Sequence, residues 1–392
     1  MLLSVALILC LGMILSTLCQ KLKLPGLLGL LATGIILGPY VLDLIDSSIL
    51  SISADLRKIA LIIILTKAGL NLDISKLREI GKTAVFMCFV PATFELVGVV
   101  IFAPKLLGIS LMEAAILGSV MAAVSPAVVV PRMVKLMEEG YGSKKGIPQL
   151  ILAGASVDDV YVIVLFTTFV QRIQGEGVSV ISFVNIPVSI GLGIIIGVAL
   201  GFILSKLFEK VHIRDTSKVL IILSVSFILV TIEDKLNTGI TFSALIAIML
   251  LGVAIQKFRT PVAKRLSEKY NKLWVGAEIF LFVLVGATVN VGYLKNVGFS
   301  AVVVIVCALI FRMAGVFVSL IGTNLNMKEK LFVMLAYTPK ATVQAAIGGI
   351  PLSLGLACGD VILTVAVLVI VLTAPLGAFA IDFTYKRFLE AN

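Results

Sequence analysis

Stretches of apolar residues long enough to cross a lipid bilayer follow one another along almost the whole chain, with only short polar breaks between them. Of the 392 residues, 60% are hydrophobic and only 14% are charged, which excludes a water-soluble protein with a single packed core. Because a helix of about 20 residues crosses the hydrocarbon core, the pattern predicts an all-α membrane protein, one integral domain over 1–392, with about 13 transmembrane helices. The predicted spans are about 2–19, 26–45, 56–73, 82–107, 110–136, 146–173, 180–208, 217–233, 239–256, 273–295, 298–322, 329–357 and 360–383.

The distribution of Lys and Arg between the breaks predicts the orientation of the chain. Most basic residues lie in the breaks after odd-numbered spans, and few lie after even-numbered ones. By the positive-inside rule, the N-terminus faces outward and the C-terminus faces the cytoplasm. A multi-pass protein of the plasma (inner) membrane accounts for the net charge of +10, and no nucleic-acid partner is expected.

The two halves of the chain match each other at several positions. Aligning Gly69 with Gly286 also places Glu95 on Arg312. Spans 1–6 then correspond to spans 8–13, and because matching spans are an odd number apart, the two six-helix repeats enter the membrane in opposite senses. Such inverted-topology repeats, with interrupted helices that cross near the midplane, are typical of secondary transporters. We expect Glu95 and Arg312 to pair, either as a switchable tie or as a static ion pair that fixes packing.

Proline residues interrupt two corresponding spans, at Pro126 in span 5 and at Pro339 in span 12. Proline lacks a backbone donor, so carbonyl groups and the hydroxyls of Ser125 and Thr342 are predicted to face a cavity, where carbonyl ends of half-helices favour a cation. Lys340, beside the second break, can neutralise an aspartate. A plain proline kink is the alternative at each position.

Two adjacent aspartates, Asp158 and Asp159, lie within the apolar run GASVDDVYVIVLF over residues 154–166. An ionisable group in a bilayer is costly unless it is paired or hydrated, which favours a functional role. Helical neighbours point about 100° apart, so their roles are predicted to differ: one forms a salt bridge with a buried base, and the other faces an ion pathway and binds a small cation in competition with protons. The alternative is a structural pair that caps backbone groups.

Other ionisable residues carry less weight. Lys67 and Glu278 lie within predicted spans, but each is near a helix end and can reach the interface. The single histidine, His212, is predicted to be solvated in a cytoplasmic loop.

At these residues the sequence resembles the cation/proton antiporter superfamily, in its NhaA/NapA-like branch with paired aspartates, and most closely the SLC9B-type sodium/proton exchangers. The motifs VSPAVVVP (124–131), SVDD (156–159) and PKATVQAAIG (339–348) occur together in order, and the resemblance covers the whole chain. It implies an NhaA/NapA-like fold and a homodimer. Its dimerisation part would be about 1–45 and 217–256, its linker helix about 180–208, and its core about 56–173 and 273–383, moving like an elevator.

The resemblance also implies residue roles. Asp159 matches the carrier that alternately holds a proton and a metal ion, Na⁺ or Li⁺, and Asp158 matches its neighbour that pairs with a base. That base matches Lys340 in the most similar relatives, whereas in other branches the base of span 11 pairs with the first aspartate. Arg312 matches the basic residue of span 11 that pairs with Glu95. Many antiporters carry Thr-Asp where this chain has Ser125-Pro126, which removes one carboxylate from the site.

The function predicted on this basis is exchange of inward protons for outward Na⁺ or Li⁺, which would serve pH homeostasis. It requires no cofactor and no catalytic residues, so the chain is not expected to be an enzyme. An intramembrane aspartyl protease is disfavoured, because adjacent aspartates on one helix cannot flank a scissile bond. A sodium-coupled symporter of organic anions with a similar fold, and a K⁺/proton antiporter, remain as alternatives.

Overall fold

The computed structural model describes residues 1–72, 81–174, 180–211, 213–235 and 242–391. Within these ranges the chain is helical and has no β-strand, although an isolated bridge joins Tyr141 to Ala391. The predicted all-α class is confirmed for this part of the chain. His212 and part of the aligned segment after Gly69 lie outside the described residues.

The helices in these ranges are α1 (Leu2–Lys21), α2 (Gly26–Leu37), α3 (Ser47–Ser51), α4 (Ser53–Asn71), α5 (Lys82–Leu107), α6 (Leu111–Met121), α7 (Pro126–Glu138), α8 (Ile147–Ile173), α9 (Val180–Lys210), α10 (Asp215–Lys235), α11 (Ala244–Phe258), α12 (Thr260–Ala287), α13 (Val291–Ser319), α14 (Met327–Ala336), α15 (Thr342–Ile347), α16 (Ile350–Ser353) and α17 (Gly359–Phe388).

Eight helical segments of the described chain are long and apolar enough to cross a membrane, judged by length and composition. They are Leu2–Lys21, Lys82–Leu107, Leu111–Glu138, Gly191–Lys210, Asp215–Glu233, Thr260–Ala287, Gly298–Ser319 and Gly359–Phe388. Large apolar side chains such as Phe299 and Leu376 are exposed on them, as suits a surface that faces lipid tails. The chain is thus a multi-pass membrane protein. The count of about 13 spans and the inverted repeat remain predictions.

Some predicted spans correspond to helices that are shorter than a full crossing. Span 2 contains α2, of 12 residues, and span 9 overlaps α11, of 15 residues. Helix α2 ends at Leu37, and the chain is extended at Gly38. Apolar composition continues past such helix ends, so hydropathy alone overestimates the helix length.

The chain divides into two compact units. One comprises Met1–Arg57, Glu79–Phe169 and Ile279–Asn392, and the other comprises Lys58–Arg78 and Val170–Glu278. In the first unit α5 packs along α13, and α17 contacts α13 and α14. In the second unit α9 packs along α11.

Small residues allow the close packing of α5 and α13. A Cβ atom at Gly315 would lie 2.9 Å from the Cα of Pro91, and one at Gly98 would lie 2.8 Å from the ring of Phe311. Gly98 follows Glu95 by three residues, and Gly315 follows Arg312 by three, so each glycine shares a helix face with an ionisable residue. The glycine contacts therefore bring Glu95 and Arg312 together.

Both predicted interruptions are present. One helix ends at Met121 and the next starts at Pro126, which occupies a first-turn position where its missing N–H costs nothing. The second break lies between α14 and α15 and contains Pro339. We refer to residues 122–125 as the first break and to residues 337–341 as the second break. Helix α8, which carries both aspartates, is continuous.

Candidate functional site

The two breaks contact each other in the interior of the first unit. The backbone N–H of Ser125 donates to the carbonyl of Pro339 at 2.8 Å. From α15, the side-chain amide of Gln344 donates to the carbonyls of Ala123, at 2.9 Å, and Met121, at 3.3 Å. Backbone groups that lack a helical partner at one break thus form hydrogen bonds with residues of, or next to, the other break. These bonds hold the two breaks against each other.

Arg312 is the centre of the polar network around the breaks. Its guanidinium is fully buried and donates to Glu95 Oε2 and Asp158 Oδ2, each at 2.7 Å. It also donates to one carbonyl of each break, that of Ala122 and, at 2.5 Å, that of Tyr337. The planar, multi-donor guanidinium suits this task, since it can reach acceptors in several directions at once. The residue therefore ties α5, α8 and both breaks together.

Lys340 supplies the second buried base. Its Nζ donates to Glu95 Oε2 at 2.5 Å, and both side chains are fully buried. Its backbone N–H, within the second break, donates to the hydroxyl of Thr373 on α17 at 3.0 Å. Glu95 consequently accepts from both bases, and two positive charges face the two negative charges of Glu95 and Asp158.

The two aspartates have different surroundings. Asp158 Oδ2 accepts from Arg312 and from the backbone N–H of Val124 in the first break, at 2.9 Å. Asp159 is 7% exposed, and its Oδ1 has no hydrogen-bond partner in the part of the chain that the structure describes. Arg312 forms salt bridges with Glu95 and Asp158, and Lys340 forms one with Glu95. Asp159 is therefore the odd carboxylate of the cluster, since no base of the described ranges forms a salt bridge with it.

One predicted pairing differs in the structure. The most similar relatives imply Lys340 as the partner of Asp158, and other branches imply the base of span 11. The base that bonds Asp158 is Arg312 of span 11, and Lys340 bonds Glu95 instead. The single ammonium of Lys340 is engaged by Glu95, while the fork of Arg312 spans both acids. The expected pair of Glu95 and Arg312 is present, but as half of a shared arrangement.

Several buried oxygens near the breaks have no hydrogen-bond partner among the described residues. They are Ser125 Oγ, Asp158 Oδ1, Asp159 Oδ1, Glu95 Oε1 and Gln344 Oε1. Ser125 precedes α7 but makes no capping hydrogen bond, and Thr342 at the start of α15 is buried as well. Burying an acceptor without a donor is costly. Such oxygen atoms can coordinate a hard cation or accept hydrogen bonds from water molecules. The site is chemically suited to a small hydrated or dehydrated cation.

Sequence reasoning gave no role to Gln344 or Tyr337. The hydroxyl of Tyr337 is buried beside Gly154 of α8, where a Cβ would overlap it. It has no hydrogen-bond partner in the described ranges. A polar residue next to a predicted helix break, within an apolar run, is the signal that points to Gln344.

The lower-weighted residues form a separate cluster in the second unit. Lys67 Nζ lies 5.9 Å from the ring centroid of Trp274, a cation–π contact, and Glu278 interacts with both residues. Lys67, Trp274 and Glu278 thus contact one another within the second unit.

The chain is similar to known proteins in both sequence and structure. A family model described as "Sodium/hydrogen exchanger, transmembrane" matches residues 5–387. Sodium/hydrogen exchanger 9B2 of Homo sapiens is 33% identical over 94% of this chain and 70% of its own length. The Xenopus tropicalis protein of the same name is 34% identical over 87% of this chain, and the match spans 65% of its own length.

A solved structure is similar across nearly the whole chain. The sodium proton antiporter MjNhaP1 from Methanocaldococcus jannaschii has a TM-score of 0.85, with 22% identity, covering 98% of this chain and 97% of its own. At that identity the likeness shows a shared fold.

Proposed function

Since this chain belongs to the sodium/hydrogen exchanger family, we propose that it is a secondary active transporter that exchanges protons for Na⁺ or Li⁺ across a membrane. The observation that carries the proposal is the odd carboxylate. In the buried cluster, Arg312 and Lys340 balance Glu95 and Asp158, which leaves Asp159 without a counter-charge among the described residues. A buried carboxylate of this kind reaches neutrality only by binding a proton or a cation.

Competition at Asp159 is the proposed mechanism of coupling. One site that holds either a proton or a cation, but not both, converts the movement of one ion into the counter-movement of the other. Ser125 and Thr342 supply neutral oxygens for the cation, together with carbonyls of the breaks. The positions of the helices around this site are fixed by the hydrogen bonds among Glu95, Arg312, Lys340 and Asp158.

Alternating access follows an elevator movement in this proposal. The core part, about 56–173 and 273–383, carries the site, and the dimerisation part, about 1–45 and 217–256, stays fixed in a homodimer, with the helix at about 180–208 as linker. The crossed breaks support a core that moves as one body, since Arg312 and Gln344 bridge them. We assign the protein to the plasma (inner) membrane, with the N-terminus outside and the C-terminus in the cytoplasm.

The test is transport in proteoliposomes that contain a pH-sensitive dye. Adding Na⁺ or Li⁺ should release protons from wild-type vesicles, and Asp159→Asn should abolish the response because the amide cannot exchange a proton for a cation. Asp382→Asn is the matched control, since Asp382 is an exposed partner of Arg132 at 3.2 Å and should leave transport intact.

Other outcomes separate the alternatives. Full activity of Asp159→Asn contradicts the mechanism. A response to K⁺ that equals the response to Na⁺ favours a K⁺/proton antiporter, and sodium-dependent uptake of an organic anion without proton counterflow favours a symporter. The response of the rate to an imposed membrane potential distinguishes electrogenic from electroneutral exchange.

A further inference from the structure

Gln344 connects the two breaks through a fully buried side chain. It lies in the first turn of α15, directly after the second break, and its Nε2 donates to Ala123 O at 2.9 Å and to Met121 O at 3.3 Å. These carbonyls belong to the end of α6 and to the first break, which contain unpaired acceptors because the helix is interrupted there.

The hydrogen-bond pattern fixes which way the amide points. Both groups that face one end of the amide are carbonyls, which can only accept, so the NH₂ end must face them. Reversing the amide would place its oxygen against two carbonyl oxygens. Oε1 is therefore directed away from the carbonyls of Met121 and Ala123.

That oxygen has no partner in the described structure, although Gln344 is completely buried. Its surroundings point to a ligand. Three consecutive residues of the first break contact the site in turn: Ala123 binds the Gln344 amide, Val124 binds Asp158, and Ser125 carries a buried hydroxyl without a partner. Gln344 thus lies at the same crossing as the aspartates, and it presents a neutral oxygen in an orientation that its own donors lock.

We propose that Gln344 determines cation specificity, because its Oε1 replaces part of the hydration shell of the transported cation. This inference rests on the proposed function, and it adds a ligand that neither the motif-based roles nor the charged cluster includes. A pre-oriented amide oxygen costs little ordering free energy when the ion arrives. A smaller cation loses more hydration energy on entering, so Li⁺ depends on this oxygen more than Na⁺, and K⁺ depends on it least.

The experiment measures apparent KM and maximal rate for Li⁺, Na⁺ and K⁺ in proteoliposomes with three variants. Gln344→Met removes both polar ends at similar volume, and we expect its apparent KM for Na⁺ to rise about tenfold, with a larger rise for Li⁺, which corresponds to the loss of one charge-assisted contact. The maximal rate should stay within about twofold, since the contact serves binding. Gln344→Asn keeps an amide oxygen on a side chain shorter by one methylene, so its apparent KM for each cation should rise less than that of Gln344→Met.

Gln149→Met is the matched control. Gln149 also has a buried Oε1 without a partner in the described chain, but it lies in the first turn of α8, away from the breaks. Its KM values should equal those of the wild type. If Gln344→Met fails to fold, Gln344→Asn is compared with the wild type by the rise of the unfolding temperature on adding Na⁺ or Li⁺ in detergent. This rise should be smaller for the variant, most of all with Li⁺.

The outcomes are distinguishable. A static cross-link between the breaks would lower the unfolding temperature and maximal rate of Gln344→Met while the ratio of KM values for the three cations stayed unchanged, and this result overturns the inference. If wild-type vesicles show no cation-evoked proton flux at all, the proposed function fails. If wild-type vesicles transport and Gln344→Met retains wild-type KM values, only the role of Gln344 is refuted.

Discussion

Replacing Arg312 by methionine should destabilise the protein more than replacing Lys340 by methionine. Both side chains are long, basic and fully buried, and both bond Glu95 Oε2. Their remaining contacts differ, because Arg312 also bonds Asp158 and a carbonyl of each break. The comparison tests whether Arg312 is the centre of the network.

The contacts set the expected sizes. Removing one partner of a buried ion pair costs about 3–5 kcal/mol. For Lys340→Met, Glu95 keeps Arg312, so the loss should be near about 3 kcal/mol. For Arg312→Met, Asp158 loses the base that bonds it, and two carbonyls lose a donor at about 1–3 kcal/mol each, so the loss should exceed about 5 kcal/mol. A gap of at least about 2 kcal/mol is roughly thirtyfold in the ratio of folded to unfolded protein.

Thermal unfolding of the purified variants in one detergent, at one protein concentration, measures the order. Arg132→Met is the control, because Arg132 forms a half-exposed pair with Asp382, and such pairs contribute about 0–1 kcal/mol. Equal unfolding temperatures for the two buried variants, or a lower one for Lys340→Met, would refute the assignment of Arg312 as the centre.

Two further perturbations test helix packing and a salt bridge outside the site. A Cβ at Gly34 of α2 would overlap the backbone carbonyl of Val283, so Gly34→Ala should destabilise the protein by about 1–3 kcal/mol. Gly276 has open space around it, so Gly276→Ala should stabilise the protein by about 0.5–1 kcal/mol. Similar unfolding temperatures for the two variants would contradict the packing. Lys145 donates to both oxygens of Glu329, at 2.8 and 3.0 Å, and these hydrogen bonds raise the pKa of Lys145 above its ordinary value. The salt bridge therefore stabilises the fold at neutral pH and is lost as the pH rises through the raised pKa of Lys145. The free energies of unfolding of wild type and Lys145→Gln should differ at neutral pH and converge at strongly alkaline pH. A difference that does not change with pH would argue against a stabilising role of this salt bridge.

Much of the site could be predicted from the sequence because burying an ionisable group is costly. Asp158, Asp159, Glu95, Arg312 and Lys340 stood out since each interrupts an apolar run, and all five side chains are buried in the structure. The breaks at Pro126 and Pro339 were likewise predictable, because proline lacks the donor that a continuous helix needs. These are local properties of the chain.

Which groups pair with one another could not be predicted in the same way. Lys340 was expected to neutralise Asp158, yet it bonds Glu95, and the difference depends on where α5, α8 and α13 place their side chains within an ångström or two. The sequence marks Gln344 as a polar residue beside a break, but its hydrogen-bond partners follow only from the tertiary structure, since they lie more than two hundred residues earlier in the chain.

The sequence by itself determined a multi-helix membrane protein with two interrupted spans and a set of buried charges, because the bilayer excludes polar groups according to residue type alone. Only the tertiary structure decided that the two breaks hydrogen-bond to each other, that Arg312 joins both, and that the two buried bases of the site bond Glu95 and Asp158 and not Asp159. The physical reason is that hydrogen bonds and ion pairs require their atoms to lie about 3 Å apart. Which groups come that close is decided by the packing of segments that are distant in the chain.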